Sequence, residues 1–385
     1  MRIAVVTETF YPFKGGSAKR YLEVFKRIVR KGHRVDLYTA RLNPDWELHE
    51  NIYGIEVYRS KKVYKNFITK DGFRSLSPVI EFSMWAFHRI FEDGDYDLLE
   101  ANHCPIFPAI GTWIYSKLKA QPLVMTFHEA WYNDWYNFVP KRIYAPFGIA
   151  LERISVKLPD MIIAVSNTTA KRLIRYFNIP YERIKVISNG VDLQLYDRVK
   201  VDKEQTKLIY AGRLNPHKKI DWLIEAYQLV REKYPELKLE IVGDGPLFEY
   251  YKNYVMNNGL KDCINLYGAV DDLEFVKLLK SSWIYVLPSI REGQSITVLE
   301  AMAAGTPQVV VDVEGSGAGE LVSLSGSGIA VSPSSKSIAE GILSILSDQE
   351  LWERLRLNGL NFIKDYTWDK VAEDYLNVYN QLCKR

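Results

Sequence analysis

Short apolar runs rich in β-branched residues alternate with stretches of helical period along the whole of the 385-residue chain. The runs predict strands at Ile3–Thr7, Val35–Thr39, Pro122–Thr126, Met161–Val165, Leu208–Ala211, Leu239–Val242, Ile284–Leu287 and Pro307–Val311. Between most of them apolar residues recur at three- and four-residue steps, as in Ala18–Arg30, Ile220–Tyr234 and Ile296–Ala304, which predicts amphipathic helices. Strands alternating with helices mean βαβ units, hence an α/β chain whose parallel sheets are covered on both faces. The pattern resets near the charged stretch Val199–Lys207 (VKVDKEQTK). Two doubly wound, Rossmann-like domains are therefore expected, over residues 1–195 and 205–365. Beyond them Trp368, Val371, Tyr375, Val378, Tyr379 and Leu382 fall on one helical stripe. A C-terminal helix over 366–385 is expected to cross back to the first domain. Sheets of this kind bind ligands at the carboxyl ends of their strands, and two facing domains would leave a cleft there.

Composition changes this picture little. The chain is 47% hydrophobic and 25% charged, as a globular protein is, and its length suits two cores. Cys104, Cys263 and Cys383 lie far apart without a CxxC pair, which disfavours a disulfide framework or a thiolate metal site and fits a reducing compartment. The opening MRIAVVTETF has a carboxylate close behind its apolar run and reads as a buried strand, not a signal peptide. No run approaches the roughly 18 apolar residues of a membrane span, so a cytoplasmic location is expected. Charge is uneven. Residues 1–200 hold 30 Lys/Arg against 21 Asp/Glu (+9), and residues 201–385 hold 20 against 26 (−6).

Candidate chemistry gathers at predicted strand ends. The first loop, ETFYPFKGGS, carries Gly15-Gly16 into a helix, where bare backbone and free N–H groups suit an anion; a tight βα turn is the plainer reading. GxGxxG and P-loop lysine motifs are absent. After Leu208–Ala211 come Gly212-Arg213-Leu214-Asn215-Pro216-His217-Lys218-Lys219. Arg213 supplies a planar fork of donors and Lys218 a compact charge, a pair suited to a diphosphate, although a solvated basic turn would look the same. Gly243-Asp244-Gly245-Pro246 is a plausible wall of a nucleotide pocket, with Asp244 read as a helix cap. In Leu287–Pro307 (LPSIREGQSITVLEAMAAGTP), Glu292 and Glu300 flank a helix start, with Gly293, Gln294 and Ser295 between them. Carboxylates there can accept from sugar and ribose hydroxyls, and the exposed N–H groups can meet phosphate. His103 and His128 close two strands of the first domain, where a histidine can meet phosphate or a sugar hydroxyl or donate a proton, or simply pack.

Taken together these motifs resemble the large GT-B family of retaining glycosyltransferases that includes bacterial phosphatidylinositol mannosyltransferase and many glycan-assembly enzymes. The resemblance spans nearly the whole chain: Pro12–Gly16, Gly32–Val35, Thr126–His128, Ser188-Asn189-Gly190-Val191-Asp192, Gly212–Lys218, Gly243–Pro246 and Glu292–Glu300 follow in the family's order. It implies hexosyl transfer from a nucleoside diphosphate sugar, with retention and without a covalent enzyme nucleophile. Arg213 and Lys218 would hold the diphosphate, Glu300 the ribose and Glu292 the transferred sugar. Gly16 would approach phosphate, and His128 would sit beside the reacting sugar. Asn189, Gly212, Gly243, Gly245, Gly293, Gln294 and Ser295 would complete the donor site, with His103 and Trp131 on the acceptor side. No metal, no cofactor and no nucleic acid are expected, the nucleotide sugar being a substrate. Two departures, Lys219 in place of a glycine and Gln294-Ser295 in place of Phe-Gly, bear on which sugar and base are accepted. A nucleotide-sugar epimerase of the same architecture and a non-catalytic nucleotide-sugar-binding protein are the rival readings.

The N-terminal charge excess suggests one more partner, an anionic membrane surface carrying a lipid-linked acceptor, with a soluble sugar acceptor as the alternative. Lys19, Arg20, Lys26, Arg27, Arg30 and Lys31 of the first predicted helix face only Glu23. Arg59–Lys70 (RSKKVYKNFITK) and Trp131–Arg142 (WYNDWYNFVPKR) mix cations with aromatic residues suited to a wet–apolar boundary. The enzyme would then sit peripherally at the inner face of the cell membrane.

Overall fold

In the computed structural model of the chain, residues 1–64, 75–103, 106–139 and 141–384 are described. They form two compact units, Met1–Asn189 with Trp368–Arg385, and Gly190–Thr367. The division falls ahead of the expected linker for a hydrophobic reason: Val191, Tyr196 and Val199 are buried in the core of the second unit. The charged stretch after them runs into a strand beginning at Glu204.

The first unit is built on eight strands, β1 (Arg2–Val6), β2 (Arg34–Arg41), β3 (His49–Ile52), β4 (Ile55–Val63), β5 (Leu98–Asn102), β6 (Leu123–Phe127), β7 (Met161–Ala164) and β8 (Ile184–Val186). Their order is β3-β4-β2-β1-β5-β6-β7-β8, parallel except for the antiparallel edge pair β3/β4. The second unit has β9 (Glu204–Ala211), β10 (Lys238–Val242), β11 (Ile264–Gly268), β12 (Ser282–Leu287), β13 (Gln308–Val311) and β14 (Gly328–Val331), in the all-parallel order β11-β10-β9-β12-β13-β14. Each predicted apolar run overlaps one of these strands. The unpredicted ones are edge, half-exposed or charge-bearing: β3 reads HENI, β11 and β14 are partly exposed, and β5 carries Glu100. Among the described residues no helix is long and apolar enough to cross a membrane.

A buried polar seam fixes the C-terminal helix, Trp368–Cys383, within the first unit. The Arg20 guanidinium, fully buried, donates to Ile187 O (2.8 Å), Ser188 O (2.9 Å), Asn189 Oδ1 (2.8 Å) and the Tyr375 hydroxyl (2.9 Å). Tyr375 lies 2.9 Å from Thr126 Oγ1, which donates to Glu100 Oε1 (2.5 Å). The other Glu100 oxygen accepts from the Tyr379 hydroxyl (3.2 Å). Burial raises the Glu100 carboxyl to about 8, against the opposing pull of its hydrogen bonds from Thr126 and Tyr379 and of the Arg20 charge.

This seam corrects the reading of the first helix, Gly16–Arg30, as a bare basic face. Arg20 is internal; Lys26 and Arg27 pair with Glu23, and Arg27 also with Asp369. Lys31 pairs with Glu373 (3.0 Å). In the second basic stretch Arg59 is buried against Glu50 and Lys62 pairs with Glu81. Lys65, Phe67, Ile68 and Lys70 lie outside the described residues.

Candidate active site

The second unit assembles a charged cluster at the carboxyl ends of the adjacent strands β9 and β12. His217 O accepts from Ile290 N (3.0 Å), which ties the loop after β9 to the loop after β12. The tie brings the Lys218 ammonium onto Glu292 Oε1 as an ion pair, with both side chains largely shielded from solvent. Arg213 and Arg291 complete the cluster: the His217 imidazole is pushed down to about 2, first by burial and then by the positive charges of Arg291, Lys218 and Arg213 around it. Three cations gathered about one buried imidazole favour a polyanionic ligand.

Glu292 and Glu300 both lie near the buried Tyr285 hydroxyl on β12, whose ionisation is opposed first by burial and also by the two glutamate charges. Tyr285 is 2.7 Å from Thr297 Oγ1, and Thr297 Oγ1 is 2.9 Å from Ser295 Oγ. Ser295 caps the helix Ile296–Ala303, its hydroxyl accepting from Val298 N at 3.4 Å. That helix has no acidic residue in its first turn, so its leading N–H groups remain suited to an anion. Gln294 sits half-buried just ahead of the cap. Tyr285, Thr297 and Arg291 were not among the sequence candidates; the one available signal was a tyrosine hydroxyl inside the largely apolar strand SWIYVL.

The glycines also have a packing role. Gly243, at φ 129°, would place a Cβ 2.0 Å from Gly212 O, and a Cβ on Gly245 would lie 2.7 Å from Leu214 N. They let the turn after β10 close onto the turn after β9, where Leu214 N donates to Asp244 O (3.0 Å) and Leu247 N to Leu214 O (3.1 Å). A Cβ on Gly317 would fall 2.1 Å from Gly293 O, so the bare Gly317 lets its loop close onto the loop after β12. The glycines thus shape the wall by loop-on-loop packing. Asp244 does not cap the following helix: its Oδ1 accepts from Gly245 N (2.7 Å), and that helix begins at Phe248 without a side-chain cap.

Lys219 occupies the left-handed region, φ 52° and ψ 47°. A residue other than glycine there is strained by about 1–3 kcal/mol, which gives the glycine-to-lysine departure a physical meaning. The ammonium lies 5.1 Å from the Trp222 ring centre, a partial offset. Lys219→Gly is expected to leave folding stability unchanged or raise it by up to about 1 kcal/mol, because glycine also gains freedom in the unfolded chain. Lys219→Ile should lower it by about 1–3 kcal/mol. Urea unfolding measures both, and an unchanged midpoint for the isoleucine variant would contradict the assignment of strain.

In the first unit Gly15 is the extended N-cap of the first helix and Gly16 its first residue, again with no acidic residue in the first turn. His128 follows β6 half-buried, edge-on to Tyr21 of that helix at 6.3 Å. Two candidates are corrected. His103 is an interior residue: its ring stacks on Phe127 at 3.9 Å, its Nε2 is 3.2 Å from Ser155 Oγ, and burial lowers its pKa to about 3. Asn189 is buried in the first unit and accepts from Arg20, so its side chain is a structural partner. Trp131 donates its indole N–H to Glu129 (2.7 Å) and its backbone N–H to the buried Glu152 (2.8 Å).

Two family models match the chain, Glycosyltransferase Family 4 over residues 14–195 and Glycosyl transferases group 1 over residues 195–362. An uncharacterized glycosyltransferase of Methanocaldococcus jannaschii is 29% identical over 98% of both chains. The phosphatidyl-myo-inositol mannosyltransferase of Mycobacterium leprae is 26% identical over 98% of this chain and 96% of its own. Among solved structures, a sucrose-phosphate synthase from Thermosynechococcus elongatus superposes with a TM-score of 0.84 at 20% identity, covering 99% of this chain and 98% of that one, a likeness of fold. With its two Rossmann-like units and these two matched domains in sequence, the chain belongs to the GT-B glycosyltransferases of the group 1 and family 4 kind.

Proposed function

We propose that this glycosyltransferase moves a hexosyl unit from a nucleoside diphosphate sugar to a hydroxyl of a lipid-linked or glycan acceptor, with retention at the anomeric carbon and without a bound metal ion. The observation that carries the reading is the gathering of Arg213, Lys218 and Arg291 about His217, with Lys218 paired to Glu292, at the ends of β9 and β12. As the glycosidic bond breaks, positive charge develops on the sugar ring and negative charge on the departing diphosphate. Fixed cations and helix N–H groups aimed at that oxygen lower the barrier because they need no reorganisation during the reaction. Arg213 and Lys218 would bind the diphosphate and Glu300 the ribose. Glu292, released from Lys218 by the arriving anion, would accept from hydroxyls of the transferred sugar. In the first unit, the helix start at Gly15-Gly16 would face phosphate and His128 the reacting sugar. The mannosyltransferase relative, named for a phosphoinositide, supports a lipid-borne acceptor and hence a place at the cytoplasmic face of a membrane.

A screen of nucleotide sugars by thermal shift identifies the donor, since a ligand that binds the folded state raises its stability by mass action. With that donor, nucleoside diphosphate release should continue in excess EDTA, and the glycoside formed should keep the donor's anomeric configuration by NMR. Turnover abolished by EDTA and restored by magnesium or manganese would overturn the metal-free reading. A product that remains a nucleotide sugar would identify an epimerase.

A further inference from the structure

Away from the first helix, the first unit gathers four exposed cations on the segment Lys141–Lys157. This segment holds a short 3-10 turn, Arg142–Tyr144, and the helix Ala145–Ser155. Its outer side exposes Ile143 (79%), Tyr144 (57%), Phe147 (56%) and Ile154 (52%). Phe147 and Ile154 are seven residues apart and so share one helical face. Single exposed apolar residues are ordinary, but four on so short a segment make an apolar crest.

The charge on this segment is of one sign. Lys141, Arg142, Arg153 and Lys157 are all exposed, and the one acidic residue among 141–157 is Glu152. Glu152 is fully buried and turned inward, accepting from Trp131 N, Tyr132 N and Trp135 Nε1, each at 2.8 Å. The inner side of the helix is thereby fixed: a Cβ on Gly148 would lie 2.3 Å from the Trp135 ring, so that indole rests flat against the helix backbone. A helix anchored on one side, with an apolar crest and unopposed cations on the other, has the form of an interfacial element.

We infer that the Lys141–Lys157 segment is the docking surface of this protein for an anionic lipid bilayer, the crest entering the acyl boundary and the four cations meeting the headgroups. A second copy of the chain fits poorly, because a two-fold contact over this crest would bring two sets of four cations together without intervening acids. The inference deepens the lipid-acceptor reading by naming the surface, and its test does not depend on transfer.

The test is co-sedimentation of the full chain with vesicles of equal parts phosphatidylglycerol and phosphatidylcholine at low salt. The protein should pellet with these vesicles, remain in the supernatant with phosphatidylcholine alone, and bind less from 50 to 300 mM salt. Phe147→Ser with Ile154→Ser, and separately Arg142→Glu with Arg153→Glu, should each weaken binding at least tenfold with the melting curve preserved. The control Lys61→Glu with Lys62→Glu should change it less than twofold. Wild-type protein left in the supernatant, crest variants binding like wild type, or a control as damaging as the crest would each overturn the inference. So would a dimer, seen by light scattering, that the crest substitutions dissolve. Vesicle binding without sugar transfer would leave this surface standing while the proposed function fell, and transfer without vesicle binding the reverse.

Discussion

Lys218→Ala and Arg213→Ala are each expected to lower turnover about 100-fold or more while the protein stays folded. The magnitude follows from removing one charged contact to a leaving group within a shielded site, about 2–4 kcal/mol of transition-state stabilisation. The structure adds a second, sharper expectation, because Lys218 is already paired with Glu292 before any ligand arrives. An anionic donor must draw the ammonium away from that carboxylate, so the two residues are energetically coupled. Lys218→Ala would remove the proposed diphosphate contact and also the ion pair of Glu292. Glu292→Gln should lower turnover through its lost contact to the sugar, yet leave affinity for the free nucleoside diphosphate unchanged or stronger. The double variant should then be less impaired than the two single losses combined, the usual result for residues sharing one network. Steady-state kinetics with nucleotide titration measures all three. Turnover near wild type in Lys218→Ala, or strictly additive losses, would remove the clamp from the mechanism.

How much of this site was legible depended on whether local sequence carried the physics. Arg213, Lys218 and Glu292 follow their strands directly, and strand ends are where such folds bind ligands, so the pattern of apolar runs located them. The meaning of the glycines was not legible. Gly243 and Gly245 look the same whether a ligand or another loop approaches, and the loop contact with Gly212 and Leu214 is visible only in the fold. His103 and His128 both end strands, but a stacked Phe127 and the Ser155 hydroxyl, 52 residues away, make the first an interior group. The basic first helix misled for a related reason. Arg20, Arg27 and Lys31 are answered by Ile187–Asn189 and by Tyr375, Asp369 and Glu373 of the last helix, partners too distant in sequence for any window to contain.

Arg20→Met should be among the most destabilising single substitutions in the first unit, by about 3–5 kcal/mol. Methionine keeps much of the length and apolar volume of the stem but supplies no donor. Ile187 O and Asn189 Oδ1 would then be buried acceptors, and Ser188 O a part-buried one, without their guanidinium, each buried one a penalty of about 1–3 kcal/mol if unrelieved. Relaxation and entering water make the total smaller than their sum. The Tyr375 hydroxyl also loses its donor, and with it the chain of hydrogen bonds through Thr126 to Glu100 is less polarised. Loss of the nearby positive charge should raise the Glu100 carboxyl further above its present value of about 8. The sign of the resulting pH dependence is fixed. A carboxyl whose folded pKa exceeds its unfolded value near 4.5 binds a proton more readily in the folded state, so its stabilising contribution is fully present below about 4.5 and is lost as pH rises towards 8. Urea midpoints should therefore fall from pH 5 to pH 8 in the wild type by this contribution, and Glu100→Gln, which cannot ionise, should flatten that part of the profile. A wild-type-like midpoint for Arg20→Met, or a Glu100→Gln profile parallel to the wild type, would mean that the buried seam does not hold the C-terminal helix in place.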